Sequence, residues 1–268
     1  MRIGVFDSGL GGLTIVSTML HRLHGVEIIY LADTANAPYG EKSKHEILDF
    51  SISITEYFLK HYSIDALVVA CNTATSAAIN ELREQYPNLI IVGTEPGLKP
   101  AFSHTHTKKV GILATPATLN GEKYKQLVTS LKSQYHVEVY EQACHGLVEQ
   151  IEAGETSTPK TLSMLEAWLK PMREAHVDTI VLGCTHYPLI AHEIQNIMDT
   201  PLTLVQTADA VSNRTLHLLE QKGHINQGEN SLTLLSTGPL NSTMIKTILG
   251  QNFRVDTVKL NQLTDVTH

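Results

Sequence analysis

Long apolar runs are missing from these 268 residues: none approaches the roughly 20 residues that a bilayer crossing needs. Met1-Arg2 leads directly into the strand-like IGVF, with no charged leader, long apolar stretch or small-residue cleavage site, so no secretion signal is expected. Cysteine is scarce, with three residues at wide spacing. An odd, scattered set makes no disulfide framework and fits a reducing cytoplasm. Basic charge is short too, 20 Lys+Arg against 27 Asp+Glu for a formal net charge of −7, and no window carries the basic stripe of a nucleic-acid surface. No Pro/Gly tract or charge block marks a disordered tail. What remains is a globular chain, 42% hydrophobic, long enough for two domains with real cores.

The pattern that is present alternates strands with helices, which calls for parallel sheets. Strands are expected at Arg2 to Phe6, Glu27 to Leu31, Ala66 to Ala70, Leu89 to Val92, Val110 to Ala114, Val137 to Tyr140, Thr179 to Gly183, Leu202 to Val205, Asn230 to Ser236 and Phe253 to Val258. Helical spacing recurs between them, as in Lys44 to His61, Thr75 to Gln85, Thr118 to Lys132, Leu162 to Ala175, Ala208 to Gln221 and Ser242 to Leu249. Gly93 to Pro100, GTEPGLKP, is rich in breakers and reads as a crossing between domains. Periodicity does not decide which domain the tail joins.

Two stretches stand out. ALVVACNTATSA at Ala66 to Ala77 and TIVLGCTHYP at Thr179 to Pro188 each run an apolar strand into a cysteine at a strand-to-helix turn. In open α/β sheets ligands bind outside the carboxyl ends of strands. A helix N-terminus there offers unpaired N–H groups and partial positive charge, which favour a thiolate or a ligand carboxylate. Single buried cysteines are commonly inert; two at matched strand ends are better explained by function. Placed on either side of a ligand, they suit removal of a proton from one face of a carbon and its return to the other. Asp7 is a candidate to orient one thiol, and His186 or Glu149 the other. Cys144 reads as structural.

Other chemistries fit less well. Gly9 and Gly11 begin a G-x-G-x-x-G fingerprint, with Asp33 at the end of the next strand, but Thr14 stands where the third glycine belongs. A metal site of Cys71, Cys184, His186 and Asp7 has no C-x-x-C or H-x-x-x-H pair to anchor it. A thiol protease would leave the second cysteine without a role. Asp33 to Gly40, DTANAPYG, is an irregular loop at the same sheet end and reads either as functional or as an ordinary Pro/Gly turn.

FDSGLGGL (Phe6 to Leu13), DTANAPYG (Asp33 to Gly40), ACNTAT (Ala70 to Thr75) and GCTHYP (Gly183 to Pro188), together with the looser GTEPGLKPA, ATPATL, CHGLVEQ and LLSTG, resemble the motifs of cofactor-independent glutamate racemases, of the aspartate/glutamate racemase superfamily, in order and spacing. The resemblance implies two similar open, mainly parallel-sheet α/β domains with the active site in the cleft between them: 1–96 with 209–268 as the first, and an inserted 97–208. It implies racemisation of L- to D-glutamate for peptidoglycan, with no cofactor or metal, by a cytoplasmic homodimer whose partner is its small-molecule substrate, not a nucleic acid or membrane. Cys71 and Cys184 match the two proton donor/acceptors, assisted by Asp7, Glu149 and His186. Asp7, Ser8, Tyr39, Gly40, Asn72, Thr73, Thr185 and His186 match the substrate contacts. Gly121 and His145 depart from the family pattern, where serine and proline are commoner. The chain also starts at its first strand, so activation through an N-terminal arm is not expected. The runner-up is a relative acting on another acid such as aspartate, and a different class is a binding module with silent thiols.

Overall fold

A computed structural model describes residues 1–260. The last part of the expected first domain, 261–268, lies outside the described residues. In chain order the elements are β1 (Arg2–Asp7), α1 (Leu13–Arg22), β2 (Glu27–Ala32), α2 (Lys44–Tyr62), β3 (Ala66–Val69), α3 (Asn72–Gln85), β4 (Ile90–Gly93) and α4 (Leu98–His104). Then follow β5 (Lys109–Ala114), α5 (Pro116–Asn120), α6 (Glu122–Tyr135), β6 (Glu138–Ala143), α7 (Leu147–Glu152), α8 (Pro159–Glu174), β7 (Thr179–Gly183), α9 (Ala191–Met198) and β8 (Thr203–Val205). The chain closes with α10 (Ala208–Gln221), β9 (Ser231–Ser236), α11 (Ser242–Leu249) and β10 (Val255–Thr257). Short 3₁₀ turns occupy Tyr39–Glu41 and Tyr187–Ile190.

Two compact units divide the chain, Met1–Thr94 with the chain from Ala208 on, and Glu95–Thr207. The first holds a sheet of order β10-β9-β2-β1-β3-β4 and the second a sheet of order β6-β5-β7-β8, every neighbouring pair parallel. Parallel strands covered on both faces have no solvent side, so they read as continuous apolar runs. Ile3, Val5, Phe6, Leu67, Val68 and Val69 in the first sheet, and Ile112, Leu113, Ile180 and Val181 in the second, are fully buried. At about 1.5–3 kcal/mol for each buried large side chain, these strands anchor both cores.

Local chemistry explains the ends. Ser43 and Glu46 close a capping box before α2, and Thr158 caps α8 with Pro159 in its first turn. The breaker-rich crossing holds the boundary between the units, after Thr94, and also the start of α4, since Pro100 falls in the first turn, where its missing N–H is not needed. Two expectations are corrected. The helix expected over Thr118 to Lys132 is two, parted at Gly121, which leaves α5 and starts α6 in an extended conformation. Pro188 lies in a 3₁₀ turn, and the helix after it begins only at Ala191. Among the described residues no helix is long and apolar enough to cross a membrane.

Candidate active site

In each unit the strand run β2-β1-β3-β4 or β6-β5-β7-β8 has the same form: second strand, first, third, fourth. Connections leave the first strand to one side and arrive at the third on the other, which makes the gap between them the switch point where open sheets bind ligands. Ladder register aligns the two frames. Phe6 pairs with Val69 in the first and Leu113 with Leu182 in the second, and a cysteine follows two residues later in both, Cys71 and Cys184. The same alignment matches Asp33 N–H on Asp7 carbonyl (2.9 Å) with Cys144 N–H on Ala114 carbonyl (3.0 Å). Asp7 thus corresponds to Ala114, Ser8 to Thr115 and Asp33 to Cys144. The frame is repeated; its chemistry is not.

In the first unit Cys71 caps α3, its sulfur accepting the Ala74 N–H at 3.4 Å, and is 5% exposed. The helix starts directly behind the thiol, at Asn72, not at Thr75 as the sequence suggested. Asn72 and Thr73 are therefore its first two residues, both buried, and Asn72 Nδ2 donates to Thr94 carbonyl at 3.3 Å. Beside them Asp7 is fully buried at the end of β1. Its Oδ1 accepts from Ser8 N–H at 2.7 Å and Ser8 hydroxyl at 3.3 Å, and its Oδ2 from Gly12 N–H. Gly12 permits that approach, since a Cβ there would stand 2.8 Å from Asp7 Cβ. Asp7 thus organises the glycine loop as well as facing the switch point.

Tyr39 and Gly40 enter from the loop after β2. Tyr39 is buried with its ring 5.7 Å from Phe50, and its hydroxyl donates to Asp33 at 2.6 Å. Burial, then the Asp33 carboxylate, hold the phenol well above its usual range, with Cys71 and Asp7 adding to the effect. Its proton is committed to Asp33, so toward a ligand its oxygen can only accept. Asp33 is fully buried and accepts from Asn36, Tyr39 and Thr237. It is not presented as a ribose ligand, as the dinucleotide pattern would require.

In the second unit Cys184 is 8% exposed and lies 3.6 Å from Nδ1 of His186. Nε2 of the same ring stands 2.6 Å from Glu152 Oε1. Burial opposes charge on His186, but the bonds to Cys184 and Glu152 outweigh it and hold the imidazole well above its usual range. A ring bonded to a carboxylate on one nitrogen and a thiol on the other can pass a proton to or from sulfur. Thr185 is buried between these residues, its hydroxyl 3.5 Å from His186 Nδ1. Thr115, the counterpart of Ser8, is buried and bonds to Thr118 at 2.9 Å.

The carboxylate at His186 corrects an expectation. Glu149 was expected to assist there, but it lies exposed on α7, while Glu152, one turn further on, makes the contact. The two glutamates are three residues apart on one short helix, and only packing distinguishes them. Glu152 and Thr115 are the residues that sequence reasoning missed; setting Phe6-Asp7-Ser8 against Leu113-Ala114-Thr115, the ends of the first strand in each half, would have exposed Thr115. Cys144 is buried, its thiol pushed up to about 12 by burial, and donates to Gln142 carbonyl at 3.6 Å. That is a structural cysteine. His145 is exposed. Among the described residues no three His, Cys, Asp or Glu side chains are grouped to hold a metal ion.

Residues 3–214 match the family model of the Asp/Glu/hydantoin racemases. A glutamate racemase of Sulfurovum sp. (strain NBC37-1) is 57% identical over 249 residues, covering 93% of this chain and 94% of that one. Among solved structures, a glutamate racemase isoform of Bacillus anthracis superposes with a TM-score of 0.85 at 30% identity, over 97% of both chains. The Francisella tularensis glutamate racemase, solved in complex with D-glutamate, superposes with a TM-score of 0.82 at 28% identity, over 97% of this chain and 98% of that one. The repeated switch-point thiols and these likenesses agree: the chain belongs to the Asp/Glu/hydantoin racemase family, within its glutamate racemase branch, and is an isomerase.

Proposed function

We propose that the chain interconverts L- and D-glutamate by two bases, Cys71 and Cys184, without metal or pyridoxal phosphate. The observation that carries this is the pair of thiols at register-equivalent positions, one at each sheet's switch point. A thiol carries one proton, so a single cysteine could not take the α-hydrogen from one face and deliver a proton to the other. In the L-to-D direction the Cys184 thiolate removes the α-proton, and the C–H electron pair passes to the α-carbon and its carboxylate. The Cys71 thiol then donates its proton to the opposite face. The reverse reaction exchanges the roles, since microscopic reversibility makes each acid the other's base.

His186, backed by Glu152, serves Cys184; Asp7 serves Cys71. Ser8, Asn72 and Thr73 around the start of α3, with Tyr39 and Gly40, receive one end of the substrate, and Thr185 and Thr115 contribute from the second unit. Buried hydroxyls and helix N-terminal N–H groups suit carboxylates, and Asp7 and the Tyr39 oxygen suit an ammonium group. In the cell the reading gives a cytoplasmic homodimer that supplies D-glutamate for peptidoglycan.

The test is isotopic. With purified protein in heavy water and nothing else added, the enantiomer formed early should carry deuterium at Cα, and the enantiomer supplied should be recovered unlabelled. Alanine at either cysteine should abolish racemisation in both directions. Substantial protium in early product, or near-normal turnover of either alanine variant, would replace two bases with one shuttling base.

A further inference from the structure

The chain's return after α10 ends β9 in a Ser-Thr-Gly step, residues 236–238, that the reaction above does not use. We propose that this step is a clamp on the Asp33–Gly40 loop, and that Thr237 is a positioning residue which sets where Tyr39 and Gly40 stand toward substrate; the substrate part rests on the glutamate reading of the first half-site. β9 stays in register with β2 to its last residue, Ser236 opposite Ala32, and Thr237 N–H donates to Ala32 carbonyl at 3.0 Å. The step therefore lies beside the point where the loop leaves β2.

From there the contacts are dense and specific. Thr237 hydroxyl donates to Asp33 Oδ1 at 2.8 Å and accepts from Ala35 N–H at 3.0 Å, so both its capacities are used. Ser236 hydroxyl lies 3.0 Å from Thr34 hydroxyl and donates to Gly238 carbonyl at 2.6 Å. Gly238 leaves room for this approach, since a Cβ there would meet Thr34 Oγ1 at 3.0 Å and Ala35 N at 3.4 Å. Asp33 carries the placement onward, accepting from Asn36 Nδ2 at 3.0 and 3.1 Å and from Tyr39 hydroxyl at 2.6 Å. Every link from residue 237 to Tyr39 is thus a short, directional bond.

Valine at 237 keeps the shape of threonine and removes its hydroxyl. Ala35 N–H then loses its acceptor and Asp33 a donor, while Tyr39 stays packed on Phe50. A net hydrogen bond of about 0.5–1.5 kcal/mol corresponds to roughly 2- to 12-fold in an equilibrium. Thr237→Val should therefore raise KM for both glutamate enantiomers about 3- to 10-fold, with kcat within about threefold of the parent. This is the pattern of lost uniform binding. By mass-spectrometric hydrogen exchange, amides of residues 33–40 should exchange faster by a similar factor. Thr237→Ser should restore both.

The clamp is overturned if Thr237→Val keeps the parent's KM and loop exchange, or if Thr237→Ser is impaired as badly as valine. Should the valine variant not fold, Gly238→Ala must produce the same rise in KM and in exchange; unchanged values there overturn it equally. A parent protein that does not racemise glutamate would refute the reading of the preceding section instead. The loop exchange of the same variants would still report on the clamp.

Discussion

Replacing Glu152 by glutamine removes the negative charge facing His186 and keeps an oxygen within reach. A hydrogen bond to a charged group contributes about 1.5–3 kcal/mol. Glu152 is 24% exposed, so partial screening places the loss in the lower half of that range, about 1.5–2 kcal/mol. If the bond persists in the transition state, each 1.36 kcal/mol is tenfold, and kcat/KM should fall about 10- to 30-fold. On stability the sign follows from His186, whose imidazole is raised above its unfolded value. Its contribution is present in full below the ordinary imidazole pKa of about 6.5 and is lost as pH rises through the raised folded value. Glu152→Gln should therefore be most destabilising near pH 6, with the deficit shrinking at alkaline pH. Initial rates by circular dichroism and melting curves across pH 5.5–9.5 measure both effects. The exposed Glu149, changed to glutamine, is the control and should match the parent. The reasoning fails if Glu149→Gln costs as much as Glu152→Gln, or if the Glu152 deficit grows with pH.

Further outcomes follow from single contacts. Burial pushes Cys144 up to about 12, so iodoacetamide at pH 8 should leave it unmodified in the native protein and label it fully in denaturant; rapid native labelling would contradict this. Thr73→Val and Thr185→Val should raise KM or lower kcat while melting temperature stays near the parent's; unaltered kinetics in both would remove these residues from the substrate's surroundings. Gly183→Ala would place a Cβ 2.8 Å from Leu113 carbonyl oxygen and 2.9 Å from Ala114 Cβ, and should destabilise the second unit by about 1–3 kcal/mol; an unchanged denaturation midpoint would show that the ladder yields.

The apolar runs at 66–69 and 179–183 were legible as strands because burial on both faces leaves nothing for polar residues to do there. The cysteine at the end of each was legible for the same reason, as an abrupt change from apolar run to small polar residues. Contacts between distant residues were not. Thr237 reaches Asp33 across 204 positions, and no periodicity encodes a parallel register. Glu149 and Glu152 differ only in how α7 is rolled against its neighbours, a tertiary property. The breakers at 93–100 marked the crossing but hid the start of α4 within it, because the rule that proline breaks helices does not hold in a first turn.

In the proposed reaction the thiols are served by unlike groups, Asp7 for Cys71 and the His186–Glu152 pair for Cys184, and that difference has a thermodynamic limit. Enantiomers in an achiral solvent have equal free energy, so the racemisation equilibrium constant is unity at every pH. The Haldane relation then forces kcat/KM to be the same from either enantiomer, however different the groups that Cys71 and Cys184 lean on. Asymmetry between the half-sites can appear only as a bias in kcat matched by an equal bias, in the same direction, in KM. A pH profile taken at low substrate concentration would be blind to it, and one taken at saturation would reveal which half-site governs each direction.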